Sequence, residues 1–365
     1  AAVGGKPTRV VIAAYMRTGS TFFGEAFNSH ADVFYMDEPL HYTCNSVNSK
    51  KLLVGLRNLP SKSVGLRGLL TCDYSGLDDV IAYSKSPKLD RMFRRCRALH
   101  DYLNCTTRYP ANAIISACPV ERLSTATIAG ICRRHGIVVG KVIWERLNFL
   151  GLLIDRVPAL HVIHLIRDPR AVLNSHALSF GAKTFARQLP FVANGKCAGM
   201  LQQYEHGERV LKLGKNSQRY MLVKYEDLAT RTLDTLERVF AFVGRRLDAG
   251  VRRYVDTHTH GTSALHRHKH DLLTYREDSA RTAQAWRTEM SERDVKIVET
   301  NPHCRKLLLS AGYELVYPNV TSYDVAADRR YSLSRDPGDT AARLRLRQKL
   351  TGRSRIVSMR RNRWR

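Results

Sequence analysis

The sequence predicts an α/β fold, a mostly parallel central sheet with helices packed on both faces. Three observations carry that prediction. Four short apolar runs, each the length of one strand, recur between Thr8 and Lys224. Helical patterns lie between and after them. The chain is also large enough for a substantial core: 365 residues, of which 44% are hydrophobic and 25% charged.

Taken in order, Thr8 to Tyr15 (TRVVIAAY) is a continuous apolar run suited to a buried parallel strand. The turn-like Met16-Arg17-Thr18-Gly19-Ser20 follows. Then comes Thr21 to Phe27, with Phe22, Phe23, Ala26 and Phe27 on one helical face. Residues from about Cys44 to Cys132 are less regular and read as helices and loops decorating the sheet. Gly136 to Trp144, Leu160 to Ile166 and Tyr220 to Lys224 supply three further strands, and Leu233 to Val243 and Asp294 to Leu309 supply helices. We expect residues 1–323 to form one domain and residues 324–365 a basic, flexible tail. From Thr340 to Arg365 the tail holds no acidic residue while arginines accumulate, so it is either a solvated segment or a contact for an anionic polymer.

Charge narrows the range of partners. Lys and Arg number 59 against 33 acids, a formal +26, which attracts polyanions such as nucleic acid, anionic membrane or sulfated glycan. The eight cysteines include no C-x-x-C pair, which excludes zinc-ribbon and thioredoxin readings. They are either reduced core residues or disulfides of a secretory compartment. Two sequons, at Asn104-Cys105-Thr106 and Asn319-Val320-Thr321, favour the second. No run of ~18–20 apolar residues occurs, so no segment reads as a membrane span. The chain opens with Ala1-Ala2-Val3, the expectation for a product whose N-terminal anchor has been removed.

The loop between the first strand and helix is where the chemistry begins. Free backbone N–H groups and the helix dipole make a strand-to-helix turn an anion site. Gly19 lets the backbone approach closely, Ser20 and Thr21 offer hydroxyls, and Arg17 adds a permanent cation. An ATP- or GTP-binding loop of the form G-x-x-x-x-G-K-[ST] is disfavoured, because Ala14 replaces its first glycine and Ser20 its lysine. A second candidate lies in Ile163 to Ser175 (IHLIRDPRAVLNS). Asp168 is placed to cap a helix with Pro169 at its first position, so Arg167 ends a strand and Ser175 lies about two turns into the helix. Those two residues can hold a separate phosphate. The plainer reading is a capped helix with surface arginines.

Together these segments resemble the Golgi carbohydrate sulfotransferases. Arg17-Thr18-Gly19-Ser20-Thr21-Phe22 is similar to their 5′-phosphosulfate loop, in the form found in enzymes that sulfate the 6-position of GlcNAc, Gal or GalNAc. Asp32 to His41 resembles the following segment, with Asp37 standing where an apolar residue is usual before Glu-Pro-Leu. Arg167-Asp168-Pro169-Arg170-Ala171-Val172 with Ser175 is similar to the 3′-phosphate motif. Lys224-Tyr225-Glu226-Asp227-Leu228, Arg276 to Arg287 and Cys304 to Val316 resemble later parts of the family.

The resemblance implies a P-loop-like three-layer fold and the sulfuryl donor PAPS. It assigns Arg17 to Phe22, Arg167 and Ser175 to that donor, with Arg276 and Arg281 as further cofactor candidates, and it calls for no metal. The acceptor would be a glycan rather than nucleic acid; the high charge suggests one already anionic, such as a glycosaminoglycan, with neutral N-glycan termini as the alternative. The enzyme would work in the Golgi lumen as a type II membrane protein whose anchor is absent from this chain.

Transfer needs a base for the sugar hydroxyl. Glu38 is the first candidate and His41 its rival. Lys141 either contacts the transferring group or acceptor, or snorkels at the surface. The histidines at 258, 260, 266, 268 and 270 lack metal-site spacing and read as a polar loop beside the acceptor cleft. Two rivals remain on the sequence alone: a P-loop kinase-like enzyme, and a non-enzymatic polyanion-binding protein.

Overall fold

The structure, a computed structural model, describes residues 7–41, 60–85, 92–93, 95–105, 118–143, 147–180, 182–259 and 278–323. Five strands, β1 (Thr8–Ala14), β2 (Val33–Asp37), β3 (Ile137–Ile143), β4 (Leu160–Ile166) and β5 (Tyr220–Lys224), form a parallel sheet in the order β2-β3-β1-β4-β5. β1 is central and pairs Ile12 with both Lys141 and Ile163. Four strands follow the apolar runs of the sequence. β2 was not anticipated: all five of its residues are buried, but the run is short and ends on the charged Asp37.

Helix α1 (Ser20–Asn28) leaves the end of β1. Between β2 and β3 lie α2 (Lys62–Thr71), α3 (Asp78–Lys85), α4 (Arg97–Tyr102) and α5 (Thr125–Arg133), and α6 (Leu147–Ile154) links β3 to β4. After β4 come α7 (Pro169–Phe180) and α8 (Ala182–His206). After β5 come α9 (Tyr225–Thr230), α10 (Thr232–Phe242) and α11 (Ala249–Thr259). The described chain ends with α12 (Ser279–Gln284), α13 (Trp286–Glu289), α14 (Glu292–Thr300) and α15 (Pro302–Ser310).

Alternate strand residues serve opposite layers. Val11, Ala13, Phe34, Met36, Val138 and Val142 pack with α2 to α6 on one face. Val10, Ile12, Val33, Tyr35, Ile137 and Val139 pack with α1, α10 and α11 on the other. The result is the three-layer, P-loop-like arrangement that the sequence predicts.

The single helix expected from Asp294 to Leu309 is two helices. Asn301 ends the first, and its side chain accepts from the backbone N–H groups of His303 and Cys304, both at 3.1 Å, to cap the second, with Pro302 at its first position. The Asn-Pro pair carried that signal. Trp144, Cys44 and the basic tail lie outside the described residues.

Six cysteines are paired, Cys72 with Cys132, Cys105 with Cys118 and Cys197 with Cys304, in line with the oxidising reading; Cys96 is a buried thiol. Both sequon asparagines, Asn104 and Asn319, are exposed. No helix among the described residues is long and apolar enough to cross a membrane.

One core histidine makes stability pH-dependent. His164 lies on β4 at 2% exposure, with the Tyr220 hydroxyl 3.1 Å from its Nδ1. Burial pushes its pKa down to about 3 from an ordinary 6.5. Between those values the unfolded chain holds a proton that the folded chain refuses, so stability must fall as pH falls below 6.5. The limiting slope is about 1.4 kcal/mol per pH unit for each such histidine. Denaturant midpoints measured from pH 7 to 4 should show this fall, and His164→Gln should flatten it.

Candidate active site

The strands converge their carboxyl ends on one edge, the crevice in which parallel α/β sheets bind ligands. The first predicted segment lies there, at the end of β1. Thr18 is fully buried and its hydroxyl donates to the Tyr15 carbonyl at 2.7 Å, which closes the turn. Gly19 has φ 85°, and a Cβ there would meet the Tyr225 ring at 2.3 Å, so the position needs glycine on both counts. Ser20 begins α1 and is buried, while Thr21 and Phe22 are half-buried. The Phe22 ring lies 5.5 Å from that of Tyr254, whose hydroxyl donates to the Phe22 carbonyl.

Arg17 adopts φ 73°, a left-handed conformation that costs an L-residue of order 1–3 kcal/mol. Its Nε donates to Ser175 Oγ at 2.9 Å. The two predicted phosphate segments, 158 residues apart, are therefore in direct contact.

Arg167 joins them a second time, with Nη1 donating to the Arg17 carbonyl at 3.0 Å and Nη2 to the Thr282 carbonyl at 3.3 Å. Its guanidinium lies 4.3 Å over the Tyr225 ring, while its buried Nε has no hydrogen-bond partner. Arg167 and Arg170 are 8% and 1% exposed, so the surface-arginine reading of this motif is wrong. Asp168 caps α7 as the sequence predicts, accepting from the Arg170 N–H at 2.8 Å.

What fixes the Asp168 turn was not read from the sequence. Glu226 Oε1 accepts from the Asp168 N–H at 2.9 Å, and Oε2 accepts from the Tyr313 hydroxyl at 2.9 Å. Burial pushes the Glu226 carboxyl up, partly offset by these bonds. Glu226→Ala strands the buried Asp168 N–H beside Arg167 and should lower stability by about 1–3 kcal/mol, measurable in denaturant unfolding. Tyr225 and Glu226 sit directly after β5, and that placement at a strand's carboxyl end was the available signal.

The second group of candidates gathers at the ends of β2 and β3. Lys141 is 1% exposed, which rules out the snorkelling reading. Its Nζ lies 2.7 Å from Asp37 Oδ1 and 3.0 Å from Glu38 Oε1. Burial depresses the Lys141 ammonium, but Asp37 and Glu38 outweigh it and hold its pKa above the ordinary value. For Asp37 burial acts upward, and Lys141 and Arg95 together bring the carboxyl below its usual range.

Glu38 follows β2 with φ 53°, and its N–H donates to the Lys141 carbonyl at 2.8 Å. Among the described residues five non-glycine positions have positive φ, and Arg17 and Glu38 are two of them. Such strain concentrates at functional sites. His41 Nδ1 lies 3.0 Å from the Tyr83 hydroxyl.

The remaining candidates fare differently. Arg281 is exposed on α12, and it is its neighbour Thr282 that reaches Arg167. Arg276 and the histidines at 260, 266, 268 and 270 lie outside the described residues. His258 is not in a loop as expected: it lies half-buried on α11, its ring stacked on that of Tyr254 with centroids 4.0 Å apart.

The profile of the sulfotransferase family matches residues 145–249. Over 349 residues the chain is 30% identical to human (Homo sapiens) carbohydrate sulfotransferase 1, covering 85% of this chain and 80% of that protein. The chain belongs to the carbohydrate sulfotransferases.

Human carbohydrate sulfotransferase 6 is 28% identical over 347 residues, covering 87% of this sulfotransferase and 84% of the relative. Among solved structures, the sulfotransferase domain of the Synechococcus PCC 7002 olefin synthase is 18% identical with a TM-score of 0.44. That match covers 86% of this sulfotransferase and 98% of the domain.

Proposed function

We propose that this sulfotransferase moves the sulfuryl group of PAPS to a sugar hydroxyl, the 6-position of GlcNAc, Gal or GalNAc in a glycosaminoglycan or glycoprotein glycan. The observation that carries the reading is the contact of the two anion segments. Arg17 touches Ser175, and Arg167 touches Arg17, so one donor can engage both with its 5′ and 3′ phosphates. Names of relatives support a carbohydrate acceptor. The +26 charge favours one that is already anionic, and the three disulfides fit work in the Golgi lumen.

In the reaction the sugar oxygen attacks sulfur in line. The new O–S bond forms as the bond from sulfur to the 5′-phosphate oxygen breaks, and PAP leaves. Arg17 and the N–H groups opening α1 stabilise charge growing on that phosphate, as in phosphoryl transfer. Arg167 and Ser175 hold the 3′-phosphate and so set the donor's register. Glu38 takes the hydroxyl proton. It lies two strands from the end of β1, roughly 10 Å across the sheet, which leaves room for a sugar between base and loop. His41, whose Nδ1 meets the Tyr83 hydroxyl, is the rival base. The fixed cations do the charge stabilisation, and the mechanism calls for no metal.

The test is transfer of ³⁵S from labelled PAPS to a panel of glycosaminoglycans and GlcNAc- or Gal-terminated oligosaccharides, in the presence of a chelator. Transfer to one acceptor class supports the reading and supplies the acceptor. No transfer, together with no binding of PAP, overturns it in favour of a glycan-binding protein.

A further inference from the structure

Lys141 stands between two carboxylates. Asp37 Oδ1 lies 2.7 Å and Glu38 Oε1 3.0 Å from the same Nζ, with Asp37 3% and Lys141 1% exposed, so solvent is a poor substitute for either partner. The charges extend further. Arg95 Nε lies 3.4 Å from Asp37 Oδ2, and its Nη1 lies 3.1 Å from Glu25 Oε1 on α1. The Tyr35 hydroxyl donates to Asp37 Oδ1 at 3.1 Å. On the other side, His41 follows Glu38 and meets Tyr83 of α3. A continuous line of charge thus runs from α1, the helix that opens at the Arg17 loop, through Arg95, Asp37 and Lys141 to Glu38.

The geometry points to Asp37 as a positioning residue for transfer: by sharing the Lys141 ammonium, it sets how firmly Lys141 holds Glu38 and how readily Glu38 accepts the sugar proton. The inference rests on Glu38 being the base. A carboxylate held by an undivided ammonium is a weaker proton acceptor, and inside a protein such a charge acts strongly over a few ångströms. Without the Asp37 charge, Lys141 turns wholly to Glu38. Without Arg95, Asp37 draws Lys141 away and a nearby cation is lost. The two changes therefore act in opposite directions. A purely structural role gives loss of stability in both and no such opposition.

The experiment compares pH profiles of kcat/KM for the full chain and for Asp37→Asn, Arg95→Gln and Glu38→Gln, with PAP affinity as a check on folding. In Asp37→Asn the acid limb should move to lower pH by about one unit, with kcat lower several-fold and PAP binding retained. In Arg95→Gln it should move to higher pH. Glu38→Gln should lose the limb with most of the activity. Limbs unmoved by Asp37→Asn and Arg95→Gln, but removed by Glu38→Gln, overturn the sharing and leave the base reading intact. A limb that survives Glu38→Gln overturns both. Should Asp37→Asn fail to fold, the direction of the Arg95→Gln shift decides alone.

Discussion

Arg17→Ala is expected to lower kcat about 10²- to 10³-fold while weakening PAP binding by less. Removing one preorganised donor from developing charge typically has an effect of that size. Arg17 is held in place by its bond to Ser175 Oγ, and its carbonyl anchors Arg167. The backbone at φ 73° is already strained, so this geometry is kept at some cost and is not a relaxed turn. The inequality between kcat and binding follows because charge on the leaving phosphate grows as the S–O bond breaks, and a cation there favours the transition state over the bound donor. Arg17→Lys keeps the charge but loses the fork that reaches Ser175, and should recover only part of the rate. Steady-state kinetics beside PAP calorimetry separates the two quantities. A kcat within fivefold of wild type for Arg17→Ala would falsify the assignment.

The largest stability effect is expected at a buried ion pair distant in sequence from that loop. Glu299 is fully buried, and Arg170 Nη1 donates to its Oε1. Oε1 also accepts the Val316 N–H at 2.9 Å, and Oε2 accepts that of Tyr317 at 2.8 Å. Arg170 is further chelated by Asp168 and lies 4.1 Å over the Trp286 ring. Glu299→Ala leaves a buried guanidinium half-compensated and two backbone donors without an acceptor. We expect a loss of about 3–5 kcal/mol in urea unfolding. The double variant Arg170→Met with Glu299→Leu should lose less, because it removes the stranded charge, though the two N–H groups still lack a partner.

These cases show which features the sequence made legible. The strands at β1, β3, β4 and β5 were readable because parallel strands buried on both faces are continuous apolar runs bounded by turns. β2 was missed because its last residue, Asp37, is charged, and only Lys141 and Arg95, far along the chain, make that burial tolerable. The Arg17 loop and the Arg167 helix start were legible because glycine, hydroxyl and cap residues have local meaning. The parts that hold these segments together were not. Tyr225, Glu226, Thr282 and Glu299 act through contacts between residues 58 to 206 apart for the first three and 129 apart for the last, and no local pattern announces such a pairing. The burial of Lys141 is of the same kind, because nothing in its own strand declares a counter-charge.

The Cys197–Cys304 bond spans 107 residues, and between its ends lie β5, Tyr225, Glu226 and Thr282, the parts that grip Arg167 and Asp168. Its two sulfurs sit on α8 and α15, so the bond ties together the two ends of that stretch. During synthesis the first thiol must wait for the second to emerge, with Cys96 as a buried thiol that could intercept it if exposed too long. Closure of this bond thus fixes covalently the two ends of the stretch that carries those contacts.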